Sequence, residues 1–199
     1  MSNYRPISLT SVFCKLMEKY IVAELLKYLL ANDLISKQQH GFLSGRNTST
    51  NLLESLNDWT LNIENKVGQR VAYIDSTKAF DSVCHSKLIA KLSRYGIAGT
   101  LLCWIKDFLT GRTHRTKVGD CLSDVAYISS GVVQGSCLGP LLFLLYVNDI
   151  CDVFTNTVTL KLYADDIKLY SNVGLSVPAT LNELQEQLNC LCRWVNDWQ

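Results

Sequence analysis

The stretch Leu160-Lys161-Leu162-Tyr163-Ala164-Asp165-Asp166-Ile167-Lys168-Leu169-Tyr170 decides the fold. Apolar and polar residues alternate on both sides of the central acidic pair. A period of two marks β-strands, and turn-forming residues between two such strands mark a tight hairpin. The pattern therefore predicts a hairpin with the carboxylates of Asp165 and Asp166 at its tip. Asp also favours plain surface turns, and adjacent carboxylates repel one another. Taken alone, the stretch fits either a surface turn or a site that holds cations.

A second acidic element lies ninety residues upstream of Asp165. The apolar run Val71-Ala72-Tyr73-Ile74 stops at Asp75, as a buried strand does when it presents a carboxylate at a sheet edge. Phe80 and Asp81 follow. Two separated acidic elements are what two-metal phosphoryl transfer needs, with one cation at the attacking oxygen and one at the leaving oxygen. Mg²⁺ takes oxygen ligands and retains waters and substrate phosphates. Clustered carboxylates are costly without such ions. Asp75, Asp165 and Asp166 are expected to converge on one site and to bind two Mg²⁺ ions, with Mn²⁺ as a substitute.

Further motifs follow in order. They are Arg5 to Thr10, preceded by Asn3 and Tyr4; Gln39-His40-Gly41-Phe42 with Gly45-Arg46; Asp75 to Asp81; Gly131 to Phe143, containing Gln134-Gly135-Ser136; Asn148-Asp149; and the acidic hairpin. In this order and spacing the chain resembles the reverse transcriptases of non-LTR retrotransposons, the jockey-like, LINE-type elements. It departs from that pattern at Val133, where proline is usual, and at Cys137, where an aliphatic residue is usual.

Composition fits a packed globular chain. Of 199 residues, 48% are hydrophobic, enough for a substantial core and too many for a disordered chain. Eight cysteines are scattered, and no secretory pattern opens the chain, so reduced thiols are expected. No apolar run is long enough to span a bilayer. An intracellular protein is expected, and the family points to the nucleus. Net charge is only +1, but it is unevenly distributed: residues 67–132 carry nine Lys and Arg against five acids, and residues 133–199 carry three against seven. Arg112 and Arg115, in the basic part, are candidates for nucleic-acid phosphates.

Periodicity predicts helices over 12–31, 47–65, 85–95, 100–109, 139–149 and 178–198, a strand over 70–75, and a hairpin around Gly119-Asp120. On the first helix Leu16, Tyr20, Ala23 and Tyr28 form the expected apolar side, with Glu18 elsewhere. The expected class is α+β. The resemblance makes it a polymerase palm, an antiparallel sheet backed by helices, over residues 67–199. A partial, mainly helical fingers-like region covers residues 1–66. The thumb and endonuclease regions of the parent polyprotein are expected to be missing, so this fragment should hold primer–template loosely.

The resemblance also implies the reaction and its parts. A primer 3′-hydroxyl attacks the α-phosphate of a dNTP, with an RNA template and a DNA primer as partners. Asp75, Asp165 and Asp166 are the catalytic and metal-binding carboxylates. Phe80 is the steric gate against a 2′-hydroxyl and should lie close to Asp75. Arg5, Arg46, Gln134 and Gly135 bind the nucleotide, or Arg46 pins its own loop. A salt bridge between Lys78 and Asp81 is expected to shape the gate loop. Two rivals stand beside this reading. One is a catalytically inert remnant of a mobile element with weak RNA binding. The other is an RNA-dependent RNA polymerase, which Phe80 disfavours because such an enzyme must admit the 2′-hydroxyl.

Overall fold

A computed structural model describes residues 5, 7–173 and 177–198. Asn3, Tyr4 and Pro6 of the first motif lie outside the described residues, as does Gln199. The chain forms two compact units, Met1–Ala31 with Lys78–Tyr146, and Asn32–Thr77 with Val147–Gln199. They interleave along the sequence, and so are units of contact rather than the fingers-like and palm regions.

The second unit contains the sheet. Strands β1 (Gly68–Ile74), β6 (Thr159–Tyr163) and β7 (Asp166–Val173) form an antiparallel sheet in the order β1-β7-β6. As the central strand, β7 is covered on both faces, and residues 167–171 are all buried despite their alternating chemistry. One core gathers Leu160, Leu162, Ile167 and Leu169 with Ile150, Val158 and Leu191. Leu184, Leu188, Trp194 and Val195 of helix α7 (Val177–Trp198) pack against it. The sheet also contacts α2 (Thr48–Glu64). Asn47 opens α2 with a reciprocal cap: its side chain accepts from Thr50 N at 2.9 Å, and its own N–H donates to Thr50 Oγ1 at 2.9 Å.

The first unit is helical. It comprises α1 (Val12–Ala31), the short α3 (Ala79–Ser82), α4 (His85–Arg94), α5 (Gly99–Leu109) and most of α6 (Gly139–Val147). Strands β2 (Thr113–His114) and β5 (Ala126–Tyr127) pair, as do β3 (Lys117–Val118) and β4 (Cys121–Leu122), which form the hairpin around Gly119-Asp120. Residues 141–146 of α6 are all buried, as expected of a helix apolar on every side. Beyond α6 the chain tightens into a 3₁₀ helix, Asn148–Val153.

Helix α1 buries a different face from the one its periodicity suggested. Leu16 and Tyr20 are exposed, whereas Glu18, Leu25 and Leu29 are buried. Apolar residues occur all round α1, so its pattern does not select a face. Hydrogen bonding does: Glu18 Oε2 accepts from Cys137 N at 2.7 Å and Leu138 N at 3.1 Å, just before the N-terminus of α6. Glu18→Ala should cost about 2 kcal/mol, because one buried and one part-buried N–H lose their acceptor. Glu18→Gln, which retains an amide oxygen, should cost less. Urea unfolding distinguishes the two, and a Glu18→Ala loss below about 0.5 kcal/mol would remove this role.

Candidate active site

The acidic site is built at one end of the three-stranded sheet. Ile74 pairs with Ile167, and Tyr163 pairs with Asp166. Asp75, the residue after Ile74, and Asp166, the residue before Ile167, therefore leave adjacent strands at the same end. Both line one cleft of about 440 Å³, together with Tyr73, Tyr163, Lys161 and Lys168. Both are exposed, and Asp165 is half-buried.

The hairpin tip differs from the expected one in detail. Its two-residue loop is Ala164-Asp165, while Asp166 is already the first residue of β7. Ala164 has φ 56°. Positive φ at the first loop residue suits the twist of a two-residue hairpin, and glycine is the usual residue there. Alanine at this position is strained, so its surroundings must hold it.

Those surroundings come from residues 38–51. His40 N donates to Leu162 O, and Leu162 N donates to Gln38 O, both at 2.9 Å, which adds one parallel bridge beside β6. Asn51 Nδ2 also donates to Leu162 O, at 3.1 Å. Arg46 Nη1 donates to Lys37 O at 2.7 Å and to Gln39 O at 2.6 Å. Arg46 is thus bonded to carbonyls of its own loop.

On the cleft side Lys161 is paired with Glu54 of α2, and this pairing holds the Glu54 carboxyl below its ordinary range. Lys168, the cross-strand partner of Lys161, is buried and donates to Ser55 Oγ at 2.7 Å, with the Trp59 ring 5.6 Å away. Burial, reinforced by Lys161, lowers its pKa. His40 is buried too: Nδ1 meets Thr50 Oγ1 at 3.0 Å, and Nε2 lies 3.5 Å from Glu54, outside hydrogen-bond geometry. Burial lowers the His40 pKa, which favours the neutral ring.

A profile of the family described as reverse transcriptase (RNA-dependent DNA polymerase) matches residues 1–199. The chain belongs to the reverse transcriptase family. It is 32% identical over 204 residues to the RNA-directed DNA polymerase from mobile element jockey of Drosophila melanogaster, with all of this chain aligned. It is 31% identical to the probable RNA-directed DNA polymerase from transposon BS of the same organism, with 98% aligned. The chain spans 22% of the length of each. The fold is shared with a telomerase from Candida tropicalis, solved in complex with a fragment of telomeric RNA. There the TM-score is 0.62 and the identity 12%, over 85% of this chain and 30% of the telomerase.

The chemistry of the donor set in this reverse transcriptase domain fits a hard divalent cation. Asp75 and Asp166 offer carboxylate oxygens to one cleft, and Mg²⁺ needs only one or two protein carboxylates when water and phosphate complete its shell. Among the described residues no three His, Cys, Asp or Glu side chains are gathered closely enough to hold an ion by themselves. The cleft carries two of the three expected acids, Asp75 and Asp166; Asp165 lies in the turn and does not line it, so the expected gathering of all three is not seen. Among the described residues no helix is long and apolar enough to cross a membrane.

The remaining site candidates lie in the other unit. Phe80 stacks on Phe143, with ring centroids 4.1 Å apart and planes at 13°. Gln134 Nε2 donates to Asp81 Oδ1 at 2.7 Å, so the Asp81 carboxylate engages Gln134 where Lys78 was the expected partner. Lys78 itself adopts a left-handed backbone at φ 54°. Gly135 has φ 94°, and a Cβ there would sit 2.8 Å from Ser8 O, so glycine permits this approach of the first motif. Ser8 N in turn donates to Gln134 O at 2.8 Å. Arg5 is exposed. Arg112 lies over the Phe108 ring at 5.6 Å, and Arg115 Nε donates to Ser123 O at 2.8 Å.

Two residues that shape the site, Gln39 of the second motif and Lys168 of the hairpin, are buried polar groups to which sequence patterning gave no role.

Proposed function

We propose that this domain performs RNA-templated DNA synthesis, joining a dNTP to a primer 3′-hydroxyl by a two-metal mechanism. The observation that carries the reading is the β1–β7 register, which brings Asp75 and Asp166 to one sheet end beside the turn residue Asp165. Bound Mg²⁺ would supply charge neutralisation at the attacking and leaving oxygens. The chain's own residues supply position. Asp75, Asp165 and Asp166 hold the ions. Phe80, rigidified by its stack on Phe143, blocks a 2′-hydroxyl. Gln134 and Gly135 present the nucleotide-side loop, with Asp81 fixing the Gln134 amide. Arg5 is the stronger candidate for triphosphate oxygens, since Arg46 is bound to its own loop carbonyls. Arg112 and Arg115 are candidates for backbone phosphates. Residues 1–66 act as the fingers-like region and residues 67–199 as the palm.

The test is single-nucleotide addition to a DNA primer on an RNA template with Mg²⁺ at low salt, using the 199-residue chain. Addition of dNTP in preference to NTP is expected. Phe80→Val should raise NTP addition relative to dNTP by roughly tenfold or more, since the pocket gains room for one hydroxyl. An unchanged ratio would remove Phe80 as the gate. No addition under any salt condition would favour the inert remnant.

A further inference from the structure

We propose that Gln39 is a positioning residue that sets the direction of the Asp165 carboxylate by clamping Ala164. This rests on the metal-site reading above. Gln39 is 2% exposed, and its amide is spent on the hairpin tip. Its Oε1 accepts from Ala164 N at 2.9 Å, and its Nε2 donates to Ala164 O at 3.4 Å. The same Oε1 accepts from Gly41 N at 2.7 Å. One side chain thus holds both backbone polar groups of the residue before Asp165, 125 positions away in sequence.

Ala164 is the residue that needs holding. Its φ of 56° disfavours any side chain with a Cβ, and a two-residue loop has few other restraints. Released, the residue can relax towards negative φ, and the next side chain along, Asp165, rotates with it. The clamp is itself fixed. Arg46 holds Gln39 O, and the bridge at Leu162 holds the backbone on either side of Gln39. A metal site tolerates little misplacement of a ligand, so a residue that only orients the loop acts on ion affinity.

Gln39→Met retains the length of the side chain and removes every bond to Ala164. With Mn²⁺ alone as the probe, in calorimetric titration of the 199-residue chain, it should weaken binding roughly tenfold. Thermal stability should fall as well. Ala164→Gly accepts positive φ without strain, so Gln39→Met/Ala164→Gly should recover part of the lost melting temperature while Mn²⁺ binding stays weak. That separation marks positioning, because a merely structural glutamine would have both properties rescued together. Wild-type Mn²⁺ affinity in Gln39→Met, or joint rescue in the double variant, would overturn the proposal. Asp165→Asn is the control. Unchanged Mn²⁺ binding there would overturn the metal-site reading itself, whereas loss there with no effect at Gln39 would overturn the clamp alone.

Discussion

Asp165→Asn and Asp75→Asn should each lower the rate of nucleotide addition by roughly a thousandfold, about 4 kcal/mol of transition-state stabilisation. Asparagine copies the shape of aspartate and removes its charge, so the change falls on ion binding rather than on packing. Asp75 follows the end of β1 and Asp165 lies in the turn that precedes β7, and the register that joins those strands is long-range, Ile74 with Ile167. Loss at both positions would show that the ends of β1 and β7 act as one site. The loss should appear in the rate at saturating dNTP and template, because on the proposed mechanism the ions held by these carboxylates would act on the charge developing at phosphorus and the leaving oxygen. Raising Mg²⁺ should recover little of it, while Mn²⁺, which tolerates poorer ligand sets, should recover more. Activity within tenfold of wild type for either variant would detach that residue from the reaction.

Much of the domain is readable without coordinates because its signals are local. The helices at Val12–Ala31 and Thr48–Glu64 follow from periodicity and from Asn47 as a cap. The strands on either side of Ala164 follow from alternation. What alternation conceals is the second face of β7. Lys168 and Tyr170 occupy polar positions in the pattern, yet α2 covers them: Lys168 reaches Ser55, and the Tyr170 hydroxyl donates to Asp58 Oδ2 at 2.5 Å. Burial and the Asp58 carboxylate both push the Tyr170 pKa upward. A polar strand face buried under a polar helix face looks the same in sequence as one facing water. The hairpin tip was displaced by one residue for a similar reason. Asp165-Asp166 is the better turn pair by composition, but Asp166 is held in register by its pairing with Tyr163, which leaves strained Ala164 as the first loop residue. Glu18 was missed because its partners lie 119 or more positions away, and the role of Gln39, though it sits in a motif, was missed because its bonds to Ala164 span 125 positions; no local pattern encodes such a bond.

Gly41→Ala should destabilise the chain by about 3 kcal/mol, the upper end of the usual overpacking penalty. A Cβ at residue 41 would sit 2.4 Å from Ala164 N, 3.0 Å from its Cα and 3.1 Å from its Cβ. The first two contacts are with backbone, which no rotamer change can relieve. The collision also falls on the N–H that Gln39 Oε1 accepts, so the clamp must open or the 39–41 segment must lift from β6. Gly45 provides the contrast. It lies in the same loop and has φ 77°, with nothing within 4 Å of an added Cβ. Gly45→Ala should cost only the backbone preference, about 1 kcal/mol. Equilibrium urea unfolding of both variants measures the difference. Ala164→Gly added to Gly41→Ala should restore little stability, because it removes only the most distant of the three contacts. A Gly41→Ala loss no larger than that of Gly45→Ala would mean that the loop and the hairpin tip do not pack this closely, and the restraint on Asp165 would then have to come from elsewhere.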